Sequence, residues 1–329
     1  MLALMMVIAV LITAEILFRL PAFQSPAAAP TVGIVHLELE VRLAIIEQMN
    51  NESSVDCVFL GSSLPFRDIN PLVFEEQYHH KTDKTLRCIN FGVHGGGEDI
   101  GPMMAEILLQ TYHPRLLIFG ISPRLGRSSR FEPIIQSPWA QYRLGHFNAT
   151  GWLYDHSAAA SYGMVYARWI LTPNNSLSSR RNTFEELTLF HGHARETRIL
   201  KIPLSQQDQQ DTVDTANFTL TDVWRSRLEQ MLAFHQPPDT TVIIVEMPVH
   251  PLVFDEEHDY IDYEQTIQEI TDRAEAQGVL FWPTTFVEMG LDNNKWRDLS
   301  HLNPAGADLF TAWLAEQIGT AVNEERLDL

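Results

Sequence analysis

The sequence predicts an α/β fold: a three-layer α/β/α sandwich on a parallel five-stranded sheet, with a large insertion after the third strand. Two observations carry this. Short, near-continuous apolar runs alternate with amphipathic helical patterns, which is the signature of strands covered by helices on both faces. The alternation breaks between about residues 124 and 217 and then resumes.

At the N-terminus, Met1 to Phe18 is apolar apart from Thr13 and Glu15. As a helix it would extend about 27 Å, close to the thickness of a bilayer core. Residues 1–20 are therefore expected to form a transmembrane anchor or signal segment. Pro21, Pro26 and Pro30, with Ala27-Ala28-Ala29 between them, read as a linker over 21–31. The alanines also suit a signal-peptide cleavage site, and an ordinary buried helix is the third alternative. The length of the apolar run favours a retained anchor. No Lys or Arg precedes it and Arg19 follows it, so flanking charge lends no support to an extracytoplasmic domain.

Residues 32–329 are expected to form one domain. Val32 to Glu47 has helical spacing. Val55 to Leu60 is the first strand and ends at Gly61. Asn70-Pro71 supplies an N-cap and first-turn proline for a helix through about Tyr78. Leu86 to Phe91 is the second strand, followed by a Gly-rich loop at Gly92 and Gly95 to Gly97 and a helix from about Asp99 to Tyr112. Arg115 to Ile121 is the third strand and Thr241 to Met247 the fourth. The helix Tyr263 to Gln277 closes at Gly278, Val279 to Trp282 is the fifth strand, and Asn303-Pro304 opens the last helix. In parallel sheets, sites form at the carboxyl ends of strands, here the loops after residues 60, 91, 121, 247 and 282.

The insertion, 124–217, carries Trp139, Tyr142, Trp152, Tyr154, Tyr162, Tyr166 and Trp169, then the polar run Ser205 to Asp214. It is expected to be part helical, its aromatics mostly packing it onto the domain, with stacking on a sugar or acyl group as the alternative. Acidic residues outnumber basic ones 42 to 23, a net charge of −19. So negative a surface repels phosphate backbones, and no nucleic-acid partner is expected. Cys57 and Cys88 read as two thiols in buried strands, with a bridge left open.

Two segments carry chemistry. The first strand runs into Gly61-Ser62-Ser63-Leu64-Pro65, where a serine at a strand's carboxyl end can face a site. Near the C-terminus stands Asp298-Leu299-Ser300-His301-Leu302-Asn303-Pro304, whose spacing lets one turn bring a carboxylate to the imidazole it orients. Asn303 is the better placed cap, which leaves Asp298 and His301 without an obvious structural job. His94 and His250 stand either as substrate contacts or as structural residues. His191-Gly192-His193 lacks partners at metal-ligand spacing and reads as a solvated loop, so no metal is expected.

Together these segments resemble the SGNH/GDSL hydrolase superfamily, over most of residues 55 to 320 apart from the insertion. The resemblance places the nucleophile on Ser63, the Asp-x-x-His block on Asp298 and His301, and an oxyanion-hole N–H on Gly95 within Asn90-Phe91-Gly92-Val93-His94-Gly95. In the third block the family's asparagine is replaced by Ser122, in Gly120-Ile121-Ser122-Pro123, which would supply a hydroxyl donor instead of an amide. The resemblance implies a serine esterase acting on O-acyl groups, without metal or organic cofactor. Its partner would be an acylated small molecule or a cell-surface glycan, and its place the extracytoplasmic side of a membrane. The alternatives are O-acyl transfer to a cell-surface polysaccharide and a non-catalytic anchored binding protein.

Overall fold

Five short apolar segments pair in parallel, in the order β2-β1-β3-β4-β5, and helices flank the sheet, giving the three-layer α/β/α sandwich expected from the alternation. The computed structural model describes residues 1–34, 36–122, 131–172, 177–204, 222–233, 239–254, 257–284 and 287–329. In chain order these residues form α1 (Leu2–Phe18), α2 (Pro21–Ala27), α3 (Leu37–Glu52), β1 (Cys57–Gly61), α4 (Ser63–Asp68), α5 (Pro71–Thr82), β2 (Cys88–Asn90), α6 (Gly97–Tyr112) and β3 (Leu116–Ile121). There follow α7 (Glu132–Ile135), α8 (Pro138–Arg143), α9 (Ala149–His156), α10 (Ala158–Leu171), α11 (Leu177–Leu189) and α12 (Asp222–Ala233). The chain closes with β4 (Thr241–Glu246), α13 (Glu257–Gln277), β5 (Leu280–Trp282) and α14 (Pro304–Asn323).

Two compact units emerge. One comprises 50–129 and 190–329 and holds the sheet; the other comprises 1–49 and 130–189. In the first, α4, α5 and α14 pack together on one side of the sheet, and α6, α12 and α13 on the other. Every residue of β1, β2 and β3 is buried, each Val, Leu, Ile or Phe contributing about 1.5–3 kcal/mol. The edge strand β5 departs from the expectation of full cover: Leu280 is exposed and Phe281 and Trp282 half-buried. Cys57 and Cys88 are register partners on β1 and β2 and stay as buried free thiols.

Strand order reverses between β1 and β3, so the loops after these two strands diverge at a switch point, where α/β sheets bind ligands. The strands close tightly there. Gly61 has φ +145°, and a Cβ on it would lie 2.4 Å from the Gly120 carbonyl oxygen and 2.7 Å from Pro65 Cγ. Only glycine permits both the backbone and the approach.

The second unit changes the reading of the N-terminal region. Residues 21–31 are not free chain: Pro21–Ala27 is helical, and Ala27 and Ala29 are fully buried. The Arg180 guanidinium grips this segment, donating to the carbonyls of Ala27, Ala29 and Pro30 at 2.9–3.1 Å. The third helix starts at Leu37, later than the expected Val32, because Thr31 Oγ1 and Val32 N–H turn back to the buried Glu40 carboxylate. Helix α1 has no buried residue, so it is not a core helix of this chain. Among the described residues no single helix is long and apolar enough to cross a membrane; α1 and α2, bent by 65°, pass that test only together. Most of the insertion's described part is helical, α7 to α11. Trp139 is buried, whereas Trp152 and Trp169 are exposed. The run Ser205 to Asp214 lies outside the described residues.

Candidate active site

Ser63 is the first residue of α4, directly beyond the carboxyl end of β1. The preceding Ser62 is the helix cap, its Oγ accepting the Leu64 N–H at 3.3 Å. That division of labour leaves the Ser63 hydroxyl for another partner. It lies 2.9 Å from His301 Nε2, and His301 Nδ1 lies 2.9 Å from Asp298 Oδ1. Residues 238 apart in sequence thus form one unbroken hydrogen-bonded chain: Ser63 donates to His301, and His301 donates to Asp298.

The carboxylate is anchored by more than the imidazole. Asp298 Oδ1 also accepts the backbone N–H groups of Ser300 and His301, each at 2.9 Å. Oδ2 faces Arg297 NH1 at 2.9 Å, and Arg297 in turn pairs with Glu196 at 2.6 Å. Glu196 also takes Arg67, at 2.7 Å. Burial alone would raise the Asp298 pKa, but the hydrogen bond and charge of His301, the Ser300 N–H and the Arg297 charge hold the carboxyl well below its ordinary range. Burial pushes His301 below its ordinary 6.5, against the opposing pull of Asp298. A chain so poised can move the Ser63 proton onto a neutral imidazole while a fixed carboxylate supports the charge formed.

Asp68, at the end of α4, is fully buried and accepts the Leu302 N–H at 2.9 Å. It thereby ties the loop carrying His301 to the helix that begins with Ser63. Burial pushes its carboxyl well above the ordinary range, whereas the carboxyl of Asp298 is held below it.

The loop after β2 is brought against the same helix. Asn90 donates to the carbonyls of Pro65 and Ile69 at 2.6 and 2.7 Å and accepts the Gly92 N–H at 3.0 Å. Val93 N–H reaches the Gly61 carbonyl at 2.9 Å. Gly95 lies in the turn that follows, and Ser122, buried, directly follows β3. His94 is exposed in that same turn. His250 is buried against Trp296 and both ring nitrogens are engaged: Nδ1 accepts the Leu252 N–H at 3.0 Å and Nε2 meets Asn293 Oδ1 at 3.1 Å. These contacts give it a structural task. Beside it, a cavity of about 490 Å³ opens, lined by Pro248, Val249, Met289 and Trp296 among others; Ser63, Asp298 and His301 do not line it.

The expectation of a solvated His191-Gly192-His193 loop is corrected. His193 is fully buried, its Nε2–H donating to the Arg67 carbonyl at 2.8 Å, and Asn90 N–H donates to the His191 carbonyl at 2.7 Å. A Cβ on Gly192 would stand 2.1 Å from the Asn90 carbonyl oxygen. The loop is a brace behind α4. Among the described residues no His, Cys, Asp and Glu group is arranged to hold a metal.

Burial lowers His193 from its ordinary 6.5 to about 4. The unfolded chain binds that proton first, so the stability due to neutral His193 is complete above pH 6.5 and lost as pH falls toward about 4. The loss is on the order of 3 kcal/mol. Asp68 contributes with the opposite sign, its stability present in acid and lost as pH rises. Urea midpoints of wild type and His193→Gln separate the two. Wild type should lose more stability than the variant between pH 7.5 and 4.5, and equal losses would refute this.

No known protein-family model and no curated protein matches the chain.

Proposed function

We propose that the chain is an SGNH-type serine esterase that works on O-acyl groups through an acyl-enzyme at Ser63. The observation that carries this reading is the unbroken hydrogen-bonded chain from Ser63 through His301 to Asp298. His301 takes the serine proton as the hydroxyl attacks the acyl carbon, then returns it to the departing alkoxide. Water, activated by the same imidazole, releases the acid. The N–H groups of Ser63 and Gly95, with the Ser122 hydroxyl, would receive the oxyanion.

A second reading, transfer of the acyl group to a hydroxyl of a cell-surface glycan, is favoured by Ser122 standing where the family has an asparagine. In both, residues 1–18 anchor the chain in a membrane, with the catalytic part on the extracytoplasmic side. Retention of the anchor is supported by the length of its apolar run, which exceeds a usual signal-peptide core.

The test is a pre-steady-state reaction with an aryl acetate. One equivalent of phenol should be released in a burst, followed by slower turnover that added polyols accelerate if transfer operates. Because the base must be neutral and His301 is pushed below 6.5, the burst rate should decline only at pH below that value. Absence of both burst and turnover across pH 5–9 would contradict the esterase and transferase readings alike.

Arg297 is a positioning residue in this scheme. Losing a charged hydrogen bond to the orienting carboxylate costs about 1.5–3 kcal/mol, so Arg297→Met should lower kcat at least about tenfold. Removing its positive charge, which lowers the His301 pKa, should also move the acid limb of the pH profile upward. A lower kcat with an unmoved limb would mean a merely structural role.

A further inference from the structure

We propose that the outer face of α9 and α10 is a lipid-docking surface, seated in the bilayer beside α1. This rests on the reading of α1 as the membrane anchor and adds a second contact to it.

The first observation is one of adjacency. Residues 2–13 of α1 are exposed, whereas Ala14, Glu15 and Phe18 are half-buried. The helix that meets this end of the anchor is α10: Phe18 lies 5.9 Å from Tyr166 between ring centres. A membrane that holds α1 therefore has α10 beside it.

The second observation is the treatment of Glu15, the one charged residue within α1. Its carboxylate accepts from Ser157 Oγ at 2.7 Å and from the N–H groups of Ala158 and Ala159, each at 3.1 Å, and it pairs with Arg19 at 2.8 Å. A carboxylate at membrane depth needs this kind of saturation. The junction of α9 and α10 supplies most of it.

The third observation is the surface itself. Between Ala149 and Leu171 the acidic and basic residues, histidine included, are Asp155, His156 and Arg168. Asp155 is paired with Arg143 at 2.7 Å, and Arg168 turns to Thr31 Oγ1 at 3.0 Å. His156 lies flat on Trp152, 5.2 Å between ring centres. Exposed instead are Trp152, Leu153, Met164, Trp169, Ile170 and Leu171, the last two at 73% and 80%. An uncharged face with exposed tryptophans, on a chain of net charge −19, suits the bilayer interface. Neither Lys nor Arg is exposed on it, so zwitterionic lipid should suffice and salt should not release it.

The experiment uses the full chain reconstituted in phosphatidylcholine vesicles. Leu153→Cys, Ile170→Cys, Val10→Cys and Glu76→Cys are labelled separately with an environment-sensitive fluorophore; Cys57 and Cys88 are buried and do not compete. Nitroxide-bearing lipid is then added. Labels at Leu153, Ile170 and Val10 should shift to the blue and lose most of their emission, while the label at Glu76 on α5 keeps it. Quenching at Val10 without quenching at Leu153 and Ile170 overturns the docking surface and leaves the anchor intact. No quenching at any of the three overturns both. A blue shift at Leu153 and Ile170 without lipid quenching would mean that protein covers this face, such as a second copy of the chain, and also overturns the proposal.

Discussion

Ser63→Ala is expected to lower turnover of an O-acyl ester by on the order of 10⁵–10⁶-fold, because the members of a triad act as a unit. The hydroxyl is the only atom removed. Its hydrogen bond in the structure runs to His301 Nε2, so no cap or core contact is lost with it and the unfolding midpoint should barely move. The neighbouring serine gives the complementary outcome. Ser62 Oγ caps α4 through the Leu64 N–H, so Ser62→Ala should cost about 1 kcal/mol of stability while turnover persists. Steady-state kinetics and urea titrations of the two variants check both halves. Exchange of the two effects would reverse the assignment of the serines.

Asp298→Asn should lower kcat on the order of 10³- to 10⁴-fold, for a reason specific to this loop. Oδ1 accepts three donors: Ser300 N–H, His301 N–H and His301 Nδ1–H. An asparagine must keep its carbonyl oxygen there, which turns its NH₂ group toward the Arg297 guanidinium on the other side. Two donors then face each other, the ion pair is gone, and the imidazolium formed in the reaction has no carboxylate to support it. Because the loss is made in the transition state, KM should change little. A kcat within tenfold of wild type would show that Asp298 only shapes the loop.

The sheet was legible because each strand is a run of apolar residues between helical patterns, a local signal that no distant contact needs to complete. Asn303 and Asn70 were legible as caps for the same reason: both accept the backbone N–H groups their spacing predicts. The Ser63, Asp298 and His301 set was legible only as three isolated motif positions and a family resemblance; their meeting is a product of the fold.

What the sequence concealed is mostly long-range. Asp68 accepts from Leu302 across 234 positions, and Glu196 bridges Arg67 and Arg297. Neither carboxyl sits in a local pattern that marks it. His191 to His193 looked polar and therefore exposed, yet its backbone docks on Asn90 and buries the ring of His193. The N-terminal segment looked like a linker by its prolines and alanines. Arg180, more than 150 positions away from Ala27, converts it into packed structure.

The most direct test of the account is covalent labelling with a fluorophosphonate, with the adduct located by peptide fragmentation. An adduct on Ser63 is predicted in wild type and in Ser62→Ala, and none in Ser63→Ala. No adduct in the folded wild-type protein, or an adduct carried by any other residue, would contradict the claim that Ser63, His301 and Asp298 form a working nucleophilic site.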